Sequence, residues 1–351
     1  MNIYWIWLSQ IKYVGPVLQK RLLAQFGSPQ EVYLAPLHKL ERVPRINKRA
    51  IDSLLNTRDL TEANNTLQRC SQKDIHLLTF SDSLYPQYAK HHSESPILFY
   101  FKGYLKEIKH AIGVVGSRRC TAYGRKIAEE IGVELAQHGV PLISGFAKGI
   151  DSYTQAACIN HGGYTALFLA GGVDICYPLE QQSLYFKTLE SGGVFLSQFP
   201  PGTKPQPTQF IRRNAFISAW STELVVVEAR EKSGALWTAD FAKKQGKQVY
   251  AVPHPISTHD GKGCNLLLTK GVKPYLGWQS LTSQLDRCEN DSTSIPAKVL
   301  DPILEIITNS PTSISNLSRE LNMSETMIMD KLLSLELQGK LVIRGNTVSV
   351  R

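Results

Sequence analysis

Residues 140–151 read VPLISGFAKGID, an apolar run followed by a lysine between two glycines. Similar runs rich in Val, Ile and Leu recur after residue 111: AIGVV, YTALFLA, GVFLSQF, ELVVVEA and KQVYAVP. They lack polar alternation, which is typical of strands buried on both faces. The pattern predicts a doubly wound α/β domain with a mostly parallel sheet. Helices are predicted between the runs, near 122–138, 151–161, 180–190, 210–219, 234–245 and 263–270.

The chain has 351 residues, enough for two or three domains, and a formal net charge of +9 with a pI near 9.1. A strongly basic balance favours an anionic partner such as nucleic acid, and a generally basic protein is the alternative. The charge is +6 over residues 1–110, +5 over 111–275 and −2 over 276–351. Any polyanion site is therefore expected in the first two segments.

The sequence predicts three domains and a linker. Residues 1–75 contain amphipathic helical windows, and the turn YVGP before a basic helix is typical of small modules that contact nucleic-acid backbones, with a packing helix as the alternative. Residues 76–279 hold the α/β core. The polar stretch 280–297 predicts a linker. Residues 298–351, with a helix near 299–308, resemble a winged helix-turn-helix that ends in a Gly345-Asn346 hairpin, and their acidic balance favours a protein contact over DNA readout.

Glycine-rich and basic segments follow the apolar runs, where open parallel sheets bind ligands. Glycines let backbone amides approach a ligand, helix N termini attract anions, and arginines hold phosphate with two hydrogen bonds. An anion site is therefore predicted, and turn formation or solvated surface charge is the alternative for each loop. Its candidates are Ser117, Arg118, Gly145, Lys148, Gly171, Gly172, Arg212, Arg213, Lys232, Ser233 and Gly234.

Catalytic and cofactor motifs are absent from the sequence. There is no GxxxxGK[ST], GxGxxG, GxSxG or HExxH, and Asp151 is interpreted as a helix N-cap rather than an acid catalyst. Six cysteines without CxxC spacing indicate free thiols in a reducing cytoplasm. The apolar start IYWIWL lacks a basic flank and is too short for a membrane span. Binding without metal or cofactor is the expectation.

Six motifs in order, GSRRCTAYG, SGFAKGID, AGGVDICYP, FLSQFPPGTKPQPTQFIRRN, VVVEAREKSGALWTADFAKKQGKQVYAVP and GKGCNLLLTKG, resemble the DNA-processing protein A family, also called DprA or Smf. The resemblance covers about residues 80–275. It implies a Rossmann-like core flanked by an N-terminal helical domain similar to SAM or helix-hairpin-helix modules and a C-terminal winged-helix-like domain. It also implies a homodimer without enzymatic activity.

The resemblance further implies that the core binds single-stranded DNA, protects incoming DNA and loads the RecA recombinase in natural transformation, with single-strand-binding protein as a further partner. Gly149 and Asn214 join the DNA-binding set by motif. The sequence departs from the family at Gln198, Ala215 and His254, and it leaves open whether Arg212 replaces the arginine missing at position 215.

Two further expectations concern the ligand. Phe146 and Phe210 are candidates for stacking on bases, with burial in the core as the alternative. Phosphate contacts predict strong salt dependence and little sequence preference. The alternative function is a Rossmann-like phosphoribohydrolase, although AGGVDICYPLE lacks the Gly-Thr pair of that group's PGGxGTxxE signature. A duplex-binding regulator acting through the tail is disfavoured by the acidic balance there.

Overall fold

The computed structural model describes residues 2–281, 312–321, 328–329, 332, 341–344 and 347–350. The chain divides into two compact units, Met1–Leu281 and Thr282–Arg351. The N-terminal helices and the large sheet both belong to the first unit, where they share one apolar cluster.

Six helices lie between residues 2 and 72: α1 (Asn2–Gln10), α2 (Pro16–Phe26), α3 (Pro29–Leu34), α4 (Leu37–Leu40), α5 (Lys48–Asn56) and α6 (Thr61–Gln72). Helix α2 begins at Pro16 and is followed by Gly27, whose φ of 80° suits a glycine after a helix. Ser28 and Asn47 cap the first turns of α3 and α5 through their side-chain oxygens. Local capping therefore sets where these short helices begin.

Nine strands form the sheet of the first unit: β1 (His76–Thr79), β2 (Leu98–Gly103), β3 (Ile112–Val115), β4 (Leu142–Ser144), β5 (Thr165–Phe168), β6 (Val194–Ser197), β7 (Glu223–Val226), β8 (Gln248–Ala251) and β9 (Lys273–Pro274). Their order is β1-β2-β6-β5-β4-β3-β7-β8-β9. Strands β3 to β9 pair in parallel, and β2 is antiparallel to both β1 and β6. The mostly parallel sheet predicted from the apolar runs is confirmed.

The order of the strands creates a switch point beside β3. From β3 the chain moves outward through β4, β5 and β6, and it then returns to β7 on the other side of β3. In open α/β sheets such a reversal leaves a crevice beyond the carboxyl ends of the strands. The loops after β3 and β7 therefore border the expected ligand position.

Seven further helices accompany the sheet: α7 (Gln87–Lys90), α8 (Ala122–Gln137), α9 (Ile150–Asn160), α10 (Gln182–Glu190), α11 (Pro207–Trp220), α12 (Gly234–Lys244) and α13 (Lys262–Thr269). Short 3-10 turns lie at Leu179–Gln181 and Trp278–Ser280. All six helices predicted between the apolar runs are present, with ends within three residues of the prediction. Successive residues of β5 face opposite apolar clusters: Phe168 packs with Trp220 of α11, whereas Leu167 lies in the cluster that contains Leu8 of α1. Both sheet faces are thus covered.

Strands β1, β2 and β9 were not predicted from the sequence. β1 and β2 form an antiparallel edge, in which His76 pairs with Phe101 and Thr79 with Leu98. The apolar run ILFYFKG at residues 97–103 is the sequence signal for β2. This run is a weak signal on its own, because the strands after residue 111 were recognised by their alternation with long helical windows and that alternation is missing before residue 111.

In the second unit the structure describes three strands and one helix: β10 (Thr312–Ser313), α14 (Ile314–Glu320), β11 (Leu341–Arg344) and β12 (Thr347–Val350). The order is β10-β12-β11, all antiparallel. Ser313 caps α14 through a hydrogen bond from the amide of Asn316. The predicted helix 299–308, the Gly345-Asn346 turn and all of the predicted linker after residue 281 lie outside the described residues. Across the described parts, every helix is too short or too polar to traverse a lipid bilayer.

Candidate functional site

The loop after β3 is fixed from two neighbouring elements. The amide of Ser117 donates to the carbonyl of Glu228 after β7 (2.8 Å), and the amide of Ile150 donates to the carbonyl of Ser117 (3.1 Å). The fully buried Glu228 carboxylate accepts a 2.6 Å hydrogen bond from the Thr121 hydroxyl. At Gly116 a Cβ would lie 2.5 Å from the Ile150 side chain, so this close approach requires glycine. The GSRR segment is thereby held at the switch point.

Two adjoining cavities open at the carboxyl edge of the sheet. The larger has a volume of about 650 Å³ and is bordered by the loops after β3 and β7 and by the facing sides of α11 and α12. The smaller, of about 470 Å³, is bordered by the loops after β4 and β5 and by residues 175–180. We call them the first and second cavities. Both are lined by Arg118, Ala147, Phe210 and Arg213, which therefore form the partition between them.

The structure brings ten of the thirteen predicted site residues to these cavities. The first cavity is lined by Ser117, Arg118, Arg213, Asn214, Lys232, Ser233 and Gly234, and the second by Arg118, Gly145, Lys148, Gly171 and Arg213. Residues that are more than 100 positions apart in sequence thus meet in one crevice. Gly149, Gly172 and Arg212 line neither cavity.

The two glycines outside the cavities have packing roles. A Cβ at Gly149 would lie 2.2 Å from the carbonyl oxygen of Ser117, and its φ is +80°. A Cβ at Gly172 would lie 2.6 Å from the Asp174 carboxylate. Arg212 is exposed on α11, whereas Ala215 is 1% exposed, so Arg212 does not occupy the position that a side chain at 215 would take.

A row of accessible side chains crosses the partition. The guanidinium of Arg118 lies 5.0 Å from the ring centroid of Phe210, within range of a cation–π interaction. The ring of Tyr177, which is 50% exposed, lies 5.9 Å from Phe210 on its second-cavity side. Planar groups arranged in this way offer faces on which flat ligands can stack. Tyr177 was not predicted from the sequence, although its position within the AGGVDICYP motif was a usable signal.

Lys148 lines the second cavity and forms an ion pair with an acidic side chain. Its ammonium donates to the Glu180 carboxylate at 2.8 Å, and both side chains are at least half exposed. This pairing lowers the pKa of Glu180. Exposed pairs of this kind contribute little to stability and are screened by salt, so an anionic ligand can displace Glu180.

The third basic loop begins helix α12. The Ser233 hydroxyl caps the helix by accepting from the amide of Ala235 (3.3 Å), and the Asn214 side chain donates to the carbonyl of Gly234 (3.2 Å). Lys232 is exposed, and within residues 2–281 it makes no ion pair. Its neighbour Arg230 instead pairs with Asp260 at 2.6 Å. The N-terminal end of α12 thus adds one unpaired cation to the first cavity.

Arg213 is placed differently from the exposed phosphate fork expected from the sequence. It is 4% exposed, and its Nη1 donates to the carbonyl of Gly145 and, at 2.9 Å, to that of Phe168. Burial lowers the pKa of its guanidinium to about 10, while Asp151 raises it. The reason lies in the helix: position 213 is on the side of α11 that faces the sheet, whereas 212 is on the solvent side.

Two further expectations are corrected. Asp151 is not the N-cap of α9, a position held by Gly149; its buried carboxylate accepts from the amides of Gly145 (3.2 Å) and Ala147 (3.3 Å). Those amides are therefore not free for a phosphate. Phe146 is 1% exposed and packs edge-on against Phe195 (5.1 Å), so it stacks in the core and not on a base.

Trp237 is a second residue that was not predicted from the sequence. This side chain is 54% exposed on α12 and lines the first cavity beside Thr238 and Lys232. A tryptophan inside the motif KSGALWTAD was the signal that could have found it. The first cavity thus has an aromatic side chain at Phe210 and another at Trp237.

Comparison with known proteins gives a consistent result. The family model described as DNA recombination-mediator protein A matches residues 76–286. The Smf protein of Synechocystis sp. is 31% identical over 287 residues, which cover 80% of this chain and 72% of that protein. The DNA processing protein DprA of Bacillus subtilis is 33% identical over 216 residues, or 61% and 72% of the two chains.

Solved structures agree with the sequence relatives. The structure of DprA from Streptococcus pneumoniae aligns with a TM-score of 0.68 at 26% identity, covering 80% of this chain and 96% of that one. DprA from Helicobacter pylori aligns with a TM-score of 0.53 at 24% identity, over 62% and 97% of the chains, and shows the shared fold. The match to the family model over residues 76–286, which include the whole α/β core, together with the Synechocystis relative, establishes that the chain belongs to the DNA-processing protein A (DprA/Smf) family of recombination mediators.

Proposed function

We propose that this protein binds single-stranded DNA in the two cavities and acts as a recombination mediator. The observation that supports this most strongly is the convergence of Arg118, Lys148 and Lys232, from three separate loops, around one partitioned crevice. The family's description as a recombination mediator, and the single-stranded DNA bound by the Helicobacter pylori protein of the same fold, support the choice of ligand. The basic charge of residues 1–275 agrees with it.

In this proposal the phosphates contact the cations and the bases contact the rings. Arg118 and Lys232 attract phosphates, and the positive end of the α12 helix dipole lies beside Lys232. Phe210 and Tyr177 offer ring faces to unpaired bases, a contact tolerant of sequence. In a duplex the faces of the bases are stacked on neighbouring base pairs and are not accessible to these rings. Single strands are therefore the expected ligand, with little sequence preference.

We also propose the wider role that the family resemblance implies: protection of incoming DNA and loading of RecA during natural transformation, with single-strand-binding protein as a further partner and a homodimer as the assembly. A cytoplasmic location is part of this proposal. Its support is that Cys70, Cys120, Cys158, Cys176 and Cys264 are all free thiols.

The finer domain assignment is proposed as well. Residues 1–75 would be a SAM or helix-hairpin-helix-like domain, 76–279 the Rossmann-like core, 280–297 a linker and 298–351 a winged-helix-like domain. Helices α1 to α6 support the first, and the antiparallel β10-β12-β11 arrangement beside α14 supports the last. The phosphoribohydrolase alternative gains no support, because Glu180, the glutamate that ends AGGVDICYPLE, is exposed and ion-paired with Lys148.

A salt titration of binding tests the proposal. The affinity of the full chain for a labelled oligo(dT) and for a duplex of equal length is measured at several salt concentrations. We expect single strands to bind more tightly, with affinity falling steeply with salt. The double variant Arg118→Gln/Lys232→Gln should flatten the slope of log K against log salt by about 0.7 for each phosphate that the variant no longer neutralises.

The control is Arg119→Gln, which removes an exposed arginine next to Arg118 that lines neither cavity. It should retain the wild-type slope. Equal slopes for the double variant and the wild type would reject these cavities as the DNA site, and tighter binding to the duplex would reject the ligand.

A further inference from the structure

The segment of residues 144–149, which we call the SGFAKG loop, is held by side chains from outside it. The Asp151 carboxylate binds the amides of Gly145 and Ala147. Arg213 from α11 donates to the carbonyl of Gly145, and Gln181 donates to the carbonyl of Phe146 at 3.0 Å. Three side chains from three places in the chain thus fix four backbone groups of the loop.

The loop needs this support because its backbone is strained. Phe146 has a φ of 53°, a left-handed conformation that a bulky non-glycine residue rarely adopts. Such conformations cost on the order of 1–3 kcal/mol and persist only where the surroundings enforce them. Burial of the Phe146 ring between Phe195 and Tyr185 supplies part of the enforcement, and the hydrogen bonds supply the rest.

The two charged members of this set depend on one another. Asp151 and Arg213 are 5% and 4% exposed. Burial raises the pKa of Asp151, and Arg213 opposes that rise. Removing either charge leaves the other buried without compensation, which is costly in a protein interior.

The conformation of the loop determines where two cations of the proposed DNA site lie. Lys148 belongs to the loop, and Gly149 at its end approaches the backbone of Ser117 and Arg118 so closely that a Cβ would lie within 2.2–2.8 Å of it. The amide of Ile150 then bonds the carbonyl of Ser117. A shift of the SGFAKG loop therefore moves both Lys148 and the Arg118 segment.

We propose that Asp151, Arg213 and Gln181 are positioning residues for DNA binding: they hold the SGFAKG loop in its strained shape so that Lys148 and Arg118 face the cavities. The inference rests on the proposed function. It assigns Arg213 an indirect role, in contrast to a direct phosphate contact. It also assigns a supporting role to a carboxylate that, by its charge alone, would repel DNA.

The most discriminating test is whether replacing Asp151 strengthens or weakens the binding of DNA. Asp151→Asn removes one negative charge from the wall of the first cavity, and Glu180→Gln removes one from the second. By electrostatics alone both variants bind a polyanion more tightly. If Asp151 positions the loop, Asp151→Asn instead binds oligo(dT) about five- to tenfold more weakly, while Glu180→Gln, which frees Lys148 from its ion pair, binds more tightly than the wild type.

Arg213→Lys supplies the second arm, since it keeps the charge but removes the planar guanidinium, whose Nη1 donates to the carbonyls of Gly145 and Phe168 and whose Nε donates to the Asn214 side chain. Weaker binding of oligo(dT) by Arg213→Lys supports the positioning role. Wild-type affinity in both Arg213→Lys and Asp151→Asn overturns the proposal. Gln181→Met is the third arm. It changes no charge at a side chain that is 8% exposed, and it tests the positioning role even if a variant of Asp151 or Arg213 does not fold. Its expected loss is about threefold, and no loss would overturn the proposal. If the wild type itself fails to bind single strands, the proposed function fails instead.

Discussion

At the scale of single residues, Phe210 has the most central position in the site. Its ring stands in the partition, with the Arg118 guanidinium 5.0 Å from its centroid and the Tyr177 ring 5.9 Å away. It is accessible from both cavities. A strand that passes from one cavity to the other must cross this ring. Phe210 is therefore the residue where stacking, and not charge, should dominate.

We expect Phe210→Ala to weaken oligo(dT) binding by about 1–3 kcal/mol, the range for loss of one base–aromatic stack. The slope against salt should stay near the wild-type value, because no charge is removed. Fluorescence anisotropy with normal and abasic oligonucleotides measures this. The wild type should prefer the normal strand, and the variant should lose most of that preference.

Phe186→Ala is the matched control, since Phe186 is 51% exposed on α10 and lines neither cavity. Its affinity should equal that of the wild type. An unchanged preference for normal over abasic strands in Phe210→Ala would show that the bases stack elsewhere, with Trp237 as the next ring to replace.

The sequence predicted which loops meet at the carboxyl edge of the sheet better than it predicted how each side chain in them is placed. The basic loops were found because strand ends can be read from apolar runs. Whether an arginine at 212 or 213 faces solvent depends on the rotation of α11, however, and the apolar pattern of FIRRNAFISAW does not fix it. Phe146 was equally ambiguous, because a left-handed φ that turns its ring into the core leaves no mark in the sequence.

At the scale of elements, the loop between α7 and β2 joins the N-terminal helices to the sheet. The Lys20 ammonium of α2 donates to the carbonyls of Lys90 (3.4 Å) and His92. Burial lowers the pKa of His92 to about 4, with Lys247, Lys20 and His91 acting in the same direction and Glu94 in the opposite one. A protonated His92 is therefore unfavourable in the folded state.

The depressed pKa of His92 leads to a pH prediction for stability. The unfolded chain binds a proton at His92 near pH 6.5, whereas the folded chain does so only near pH 4, so the stabilisation present above 6.5 is lost as the pH falls from 6.5 to 4. Because the His92 side chain is only partly buried, we expect a loss of only about 1 kcal/mol after screening by solvent. Urea unfolding at pH 7 and pH 5 measures it.

His92→Gln should reduce the loss between these pH values, and His38→Gln, on the exposed face of α4, should not. If His92→Gln unfolds with the same pH dependence as the wild type, the proton is taken up elsewhere and this loop is not its site.

Elements were predictable to the extent that their residues are buried on both faces. Strands β3 to β8 were read from runs such as ELVVVEA, and the helices between them from their amphipathic windows. Strands β1 and β2 pair in antiparallel fashion at the sheet edge, so the βα alternation that identifies a parallel sheet does not extend to them. Strand β9 covers only Lys273–Pro274 and has too little sequence to carry a pattern.

At the scale of the whole molecule, the site belongs to one compact unit. Among the residues that the structure describes, those that line the two cavities lie within Met1–Leu281, and they come from both halves of the sheet. The charge is distributed in the same way, because residues 276–351 carry a balance of −2. The described cavity lining and the acidic balance therefore both favour the first unit as the part that holds DNA.

A chain that ends at residue 281 should therefore bind oligo(dT) within about twofold of the full chain, with the same salt slope, because it keeps the cavity residues named above and loses only a weakly acidic segment. Thermal unfolding of the shortened chain verifies that it is folded, and anisotropy titrations of both chains give the comparison. A fragment of residues 282–351 should show no affinity for single strands under these conditions. A tenfold loss on truncation, with the fold intact, would place phosphate contacts in the second unit and show that the loops at the switch point are only part of the DNA-binding surface.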